Sequence, residues 1–184
     1  MLNQICFIEN FLSKEECIDL RNQDNWENGL VGGGENNLNL NVRNSKVSWI
    51  TPFSNPQIYL KVINLFNEAN NSTYKYTLNF LDSLQLTLYD GNDDGFYGVH
   101  QDSFNNNIGD VSDRKLSMSV LLSEPSEYQG GELIIDSKSN GLINVPKKMG
   151  SAAIFPSYLE HEVTKVTKGN RFSLVAWAQG PMFK

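Results

Sequence analysis

Two histidines are all that this chain of 184 residues contains, and each stands where a metal site would use it. His100 lies in Phe96-Tyr97-Gly98-Val99-His100-Gln101-Asp102, and His161 closes Pro156-Ser157-Tyr158-Leu159-Glu160-His161, ten residues before Arg171. On an extended segment, residues i and i+2 point the same way, so His100 and Asp102 can reach one ion together. Two neutral imidazoles and one carboxylate form the facial set that holds non-haem Fe(II) while leaving coordination positions open. A lone His-x-Asp triplet arises often by chance. It gains weight here from a distant histidine at the start of a late strand and an arginine on the next. Taken singly, His161 reads as a satisfied structural histidine, Asp102 as a turn-capping carboxylate and Arg171 as a solvent-facing cation. Jointly, those readings require several spacings to coincide. The set points to an iron-dependent oxygenase, and with no third imidazole to act as a general base, its chemistry should be driven by the metal.

Arg171, Ser173, Val175 and Trp177 alternate with the apolar Phe172, Leu174, Ala176 and Ala178, so Arg171 shares a face with Ser173. If that face is a barrel interior, Arg171 is a buried cation that needs a partner. Its guanidinium fork binds a carboxylate bidentately and suits a dicarboxylate co-substrate.

The elements that must position these groups are legible from patterning. Ser13 and Glu16 form a capping box ahead of Cys17, Ile18 and Leu20, with Leu12 as hydrophobic staple. Val42 to Ile50 reads as one strand. Asn55-Pro56 then starts a second helix, with Ile58, Val62, Ile63, Phe66 and Ala69 on the side that packs against a sheet. From Leu84 the texture changes to short strands: Leu84 to Tyr89, Leu116 to Leu122, Glu132 to Asp136, Leu142 to Val145, Ala152 to Phe155, His161 to Val166 and Arg171 to Ala178. Such a series predicts a jelly-roll barrel or sandwich. The expected fold is mainly β with flanking helices, in one domain. Residues 1–80 supply the N-terminal helices and supporting strands, and residues 81–184 the core with the iron site.

The length allows a core without disulfide staples. Cys6 and Cys17 read as small buried apolar residues rather than a disulfide framework or zinc ribbon. The net charge of −6, with no Lys/Arg cluster, lacks the footprint of a nucleic-acid binder. No window approaches a membrane span, and the N-terminus lacks the features of a signal peptide, so a cytoplasmic setting is expected. Gly32-Gly33-Gly34 has neither dinucleotide-binding nor P-loop spacing and reads as loop. Asn-rich runs mark further loops. Three stretches, Gly29 to Asn41, Gly91 to Gly95 and Ser103 to Asp113, are expected to be substrate-facing lids.

The combined motif resembles the Fe(II)/2-oxoglutarate dioxygenases of the prolyl 4-hydroxylase type. It comprises Leu88-Tyr89, Tyr97-x-x-His100-x-Asp102, Arg114, Gly130-Gly131-Glu132-Leu133, Pro146, Gly150, Phe155-Pro156, His161, Val166, Gly169-x-Arg171 and Trp177. Leu116-Ser117 and Glu127-Tyr128-Gln129-Gly130-Gly131-Glu132-Leu133 bring it nearest to the bacterial PKHD-type hydroxylases, and Ile8 to Cys17 and Val42 to Trp49 match that family's N-terminal region. The resemblance implies a double-stranded β-helix with iron on His100, Asp102 and His161. It also implies Arg171 on the distal carboxylate of 2-oxoglutarate, Tyr89 hydrogen-bonded to the same co-substrate, O₂ as oxidant and ascorbate as reductant. The implied reaction hydroxylates an amino-acid residue, proline first, in a protein, a peptide or as a free amino acid, and releases succinate and CO₂. Iron affinity should fall with acidification, because binding needs an ionised Asp102 and neutral histidines.

The chain departs from some relatives in two ways. Many collagen-type enzymes carry Lys where this chain has Arg171. Some relatives place a second co-substrate tyrosine on the strand after Asp102, and Leu116 to Leu122 contains none. Two alternatives stand beside the hydroxylase reading: an oxygenase acting on another small molecule or, in AlkB-like fashion, on nucleic acid, and a non-catalytic metal-binding jelly roll. AlkB-like enzymes carry a second Arg where this chain has Trp177, and a purely structural metal needs neither open positions nor a dicarboxylate clamp.

Overall fold

A computed structural model describes residues 5–31, 38–103, 112–138 and 140–182. In chain order the N-terminal part runs β1 (Cys6–Ile8), α1 (Lys14–Arg21), β2 (Glu27–Asn28), β3 (Arg43–Asn44), β4 (Lys46–Ile50) and α2 (Pro56–Ala69). The next stretch is β5 (Phe80–Leu81), β6 (Leu84–Asp90), β7 (Phe96–His100) and β8 (Ser112–Leu121). It continues with β9 (Tyr128–Gly130), β10 (Leu133–Asp136), β11 (Leu142–Asn144), β12 (Ala152–Pro156), β13 (His161–Val163) and β14 (Val166–Pro181). Neither helix is long and apolar enough to cross a membrane.

The strands form two facing sheets. The larger has the order β1-β12-β8-β14-β6-β4-β2, with β5 and β9 also pairing β14. The smaller has the order β11-β10-β13-β7-β3. Every pairing is antiparallel. This is the expected mainly-β jelly-roll architecture with two flanking helices.

Both helices begin where local chemistry dictates. The Glu16 amide donates to Ser13 Oγ at 3.2 Å and the Ser13 amide to Glu16 Oε2 at 2.9 Å, a reciprocal cap that satisfies two orphan donors. Asn55 Oδ1 accepts from the Ile58 amide, and Pro56 occupies the first helical position, where no amide hydrogen is needed. The helices cover the outer face of the large sheet. Val62, Phe66 and Leu65 of α2 join Leu116, Met118 and Val120 of β8 and Leu174 and Ala176 of β14 in one core cluster. Ile63 is only half-buried, and Leu65 takes the core position expected of it. Because β8 and β14 are buried on both faces, their other face (Ser117, Ser119 and Leu121; Arg171, Ser173 and Trp177) looks into the space between the sheets.

Four expectations need correction. Val42 to Ile50 is two strands, because the chain changes sheets at Ser45: Arg43–Asn44 pairs β7 while Lys46–Ile50 pairs β6. Corner residues of a sandwich make such switches, and Arg43 Nε donates to Ser45 Oγ at 2.7 Å across this one. His161 to Val166 is likewise cut after Val163. The Thr164 amide turns to Glu132 O, and Val166 opens β14, which runs 16 residues rather than starting at Arg171. Cys6 is half-buried, its Sγ meeting Thr73 Oγ1 at 3.5 Å, while Cys17 is fully buried. Gly91 to Gly95 is a pinned corner instead of a lid: Gly91–Asp93 forms a 3₁₀ turn, the Gly95 amide donates to Asp90 O and the Val166 amide to Gly95 O. The other two expected lids fall partly outside the described residues, at 32–37 and 104–111.

Leu174 is fully buried at the centre of β14, between the helices and the barrel. Leu174→Ala is expected to cost about 2–5 kcal/mol of unfolding free energy in urea titration, the usual penalty for emptying a packed site.

Candidate metal centre and co-substrate cavity

His100 ends β7 and His161 opens β13, and the antiparallel register sets them directly opposite each other. Opposed side chains on one face lie within contact distance, and the two imidazole centroids are 4.2 Å apart. Asp102 follows His100 by two residues. Its Oδ1 lies 3.7 Å from His100 Nε2 and its Oδ2 3.3 Å from His161 Nε2. The ligand atoms of all three residues fall within 4.8 Å of one another.

The nitrogen that each histidine offers is fixed by the chain itself. His100 Nδ1 lies 2.8 Å from Gly98 O and His161 Nδ1 lies 3.0 Å from Leu159 O. A carbonyl oxygen only accepts, so each Nδ1 carries a hydrogen, and Nε2 is the nitrogen that each ring turns toward Asp102 and can offer to a metal once deprotonated. The rings are also wedged in place: Tyr97 stacks on His100 at 3.5 Å and 12°, and Phe155 meets His161 edge-on at 4.8 Å.

Asp102 is anchored from the opposite sheet. Ser117 on β8 donates to Oδ2 at 2.7 Å, Ser117 Oγ lies 2.9 Å from Ser157 Oγ, and the Asp102 amide donates to Ser157 O. The family motif included Ser117 only as part of Leu116-Ser117, and nothing in the sequence singled out Ser157. The cue for Ser117 was its place as one of two hydroxyls, with Ser119, on the inward face of β8.

Electrostatically the cluster favours positive charge at its centre. Burial alone would raise the Asp102 carboxyl, but His161, His100 and the Ser117 hydroxyl overcome it and hold Asp102 well below the ordinary carboxylate range. Burial, helped by the neighbouring His161, pushes His100 down to about 4. Burial would also lower His161, but the Asp102 carboxylate outweighs it and raises that imidazole. An ionised carboxylate and two Nε2 lone pairs converging on one point suit a divalent cation, with the remaining directions open to the cavity.

That cavity, of about 700 Å³, lies between the sheets and is lined by Tyr89, Tyr97, Arg43, Arg114 and Trp177 as well as the three cluster residues. Arg114 places its Cζ 3.9 Å from the Trp177 ring centroid, and its Nε reaches Asp82 Oδ2 at 3.2 Å. Tyr89 pairs with Arg171 in register, and the Arg171 Cζ stands 5.3 Å from its ring. Arg171 itself lines a smaller adjoining void, which shares Ser119 and Leu133 with the main cavity. The structure therefore groups Tyr89 with the metal cluster and sets Arg171 one layer deeper.

A profile of the 2OG-Fe(II) oxygenase superfamily matches residues 84–179. A PKHD-type hydroxylase of Aliarcobacter butzleri is 30% identical over 185 residues, covering 95% of this chain and 78% of that protein. One of Shewanella frigidimarina is 40% identical over 86 residues, 45% of this chain and 38% of that protein's length. Among solved structures, a Trichoplax adhaerens prolyl hydroxylase in complex with a hypoxia inducible factor peptide fragment shares the fold. It superposes with a TM-score of 0.75 at 21% identity, over 96% of this chain and 83% of that one.

Replacing Ser117 with Ala removes the hydroxyl that anchors Asp102 while leaving the His100, Asp102 and His161 side chains in place. Loss of such a support is expected to weaken divalent-metal binding about 10- to 100-fold in a Mn(II) titration, with the circular dichroism unchanged. An unaltered affinity would show that Asp102 needs no anchor.

Proposed function

The chain belongs to the 2OG-Fe(II) oxygenase superfamily, and from that premise we propose that it hydroxylates an amino-acid residue, prolyl first, using Fe(II), 2-oxoglutarate and O₂. As a member it is an oxidoreductase of the dioxygenase class; the substrate and the residue roles are our reading. The observation that carries the reading is the convergence of His100 Nε2, His161 Nε2 and an Asp102 oxygen beside a cavity large enough for co-substrate and substrate together.

His100, Asp102 and His161 would hold the iron, and Tyr89 and Arg171 the 2-oxoglutarate. The bound metal supplies O₂ activation coupled to oxidative decarboxylation, with succinate and CO₂ as products. The protein's work is positioning and exclusion of water. The two Nδ1–H groups, locked on Gly98 O and Leu159 O, keep both rings from turning. Ser117, backed by Ser157, holds the carboxylate in place. Leu133, Phe155 and Val163 give the inner cavity apolar walls that would help exclude water.

One residue of the cavity lining supports an amino-acid substrate. Trp177 is buried among the cavity residues, and its Nε1–H has no partner, so it can donate to a carbonyl of a bound peptide. An arginine at that position would have favoured the AlkB-like alternative. The prolyl substrate class rests on kinship with the PKHD-type hydroxylases and on the shared fold of the prolyl hydroxylases. Ascorbate as reductant and a cytoplasmic setting belong to the same proposal.

Purified protein with Fe(II), ascorbate and 2-oxoglutarate is expected to release succinate when offered proline-containing peptides. Mass spectrometry should find one added oxygen on the substrate. His161→Ala should abolish both signals, and succinate no higher than in that control would sink the proposal. Arg171→Ala is expected to raise the KM for 2-oxoglutarate at least tenfold while Fe(II) affinity stays within about twofold, as removal of a charge-assisted pair requires.

A further inference from the structure

The small void beyond the main cavity, about 20 Å³, is lined by Tyr128, Gly131, Leu133, Lys147, Ser151 and Arg171, among others. Three buried polar atoms on its lining residues have no hydrogen-bond partner: Arg171 Nε, Tyr128 Oη and Ser151 Oγ. Each of these residues is at least 95% buried. A buried polar atom without a partner is costly, and three on the lining of one void call for a ligand or an ordered water there.

The charges point the same way. Lys147, the other cation on the void, already pairs with Glu132 Oε1 at 2.7 Å and donates to Gly130 O. That lysine and the Thr164 hydroxyl hold Glu132 down at about 2, so its negative charge is permanent. Arg171 by contrast donates to Ser173 Oγ at 3.3 Å, lies against the face of Tyr89 and has the Tyr128 hydroxyl near it. It has no carboxylate partner among the described residues. A buried guanidinium left uncompensated calls for an anion.

The strand that follows Asp102 presents Ser119 and Leu121 to the void, neither of them an aromatic hydroxyl. Tyr128 arrives from β9, which pairs with β14 next to Arg171. Gly131, at φ +64°, makes room for the arrangement: a Cβ there would stand 2.8 Å from Arg171 Cδ. We propose that Tyr128 and Ser151 complete the distal-carboxylate clamp of 2-oxoglutarate with Arg171, the Tyr128 hydroxyl from β9 taking the place of a tyrosine on β8.

This inference rests on the co-substrate assignment above and deepens it. The clamp donates three hydrogen bonds, from a guanidinium and two hydroxyls, to a carboxylate that enters past Ser119 and Leu133. It therefore selects a 2-oxo acid with a second carboxylate over one of equal length without it.

The test is calorimetric binding of 2-oxoglutarate and of 2-oxopentanoate, its analogue lacking the distal carboxylate, to Mn(II)-loaded protein that cannot turn over. Tyr128→Phe should weaken 2-oxoglutarate binding about tenfold and Ser151→Ala about threefold or more, the scale of a hydrogen bond to a charged group. Neither should change 2-oxopentanoate binding by more than about twofold. Melting temperatures of both variants report folding separately, so if one variant fails to fold the other still decides. Wild-type affinity for 2-oxoglutarate in a folded variant would overturn the clamp and leave the two hydroxyls with a structural water. Failure of the wild-type protein to bind 2-oxoglutarate while it binds Mn(II) would overturn the co-substrate assignment itself.

Discussion

The site depends on one carboxylate held between two sheets. Asp102 leaves the end of β7 in the small sheet and is caught by Ser117 on β8 of the large one, with Ser157 as a second support. Without that tether, the His100–His161 pair would belong to the small sheet alone. With it, His100, Asp102 and His161 are fixed relative to the cavity walls that both sheets supply. Bringing a carboxylate into this interior is costly, and two imidazoles and the Ser117 hydroxyl offset the cost. A divalent cation would offset it more fully.

A gradient of polarity follows from the same arrangement. The outer faces of β8 and β14 carry Leu116, Met118, Val120, Leu174 and Ala176 into the helix-covered core, which makes these strands rigid. Their inner faces are then free to carry serines and an arginine without loosening the fold. Rigid strands with polar inner faces are what a catalytic constellation needs, because its geometry tolerates little play. Trp177, Arg114 and the His100–Asp102–His161 cluster share the main cavity, and Arg171 lines the smaller void that adjoins it at Ser119 and Leu133.

Much of this was legible in the sequence because the signals were local. The capping box at Ser13, the Asn55-Pro56 start and the i, i+2 spacing of His100 and Asp102 each depend on a few adjacent residues. The alternation in β14 put Arg171 and Ser173 on one face for the same reason, and the structure turns that face inward. What stayed hidden was long-range. No local rule reveals that Ser45 turns a corner between sheets, since Val42 to Ile50 has continuous strand character. Ser117 and Ser157 lie 40 residues apart, and their contact with each other is set by the β8–β12 register. Tyr128 was quoted within a family motif, but its nearness to Arg171 depends on β9 pairing with β14, which patterning does not encode. The Gly91 to Gly95 corner was misread because its composition is that of a loop, while its backbone amide and carbonyl groups are committed to neighbouring strands.

The most direct measurement is an anomalous difference map from crystals grown anaerobically with Fe(II) and 2-oxoglutarate. The account predicts a single strong peak bonded to His100 Nε2, His161 Nε2 and an Asp102 oxygen, with the distal carboxylate of the co-substrate on Arg171. A peak elsewhere, or one on the three side chains with the co-substrate's distal end away from Arg171, would contradict it.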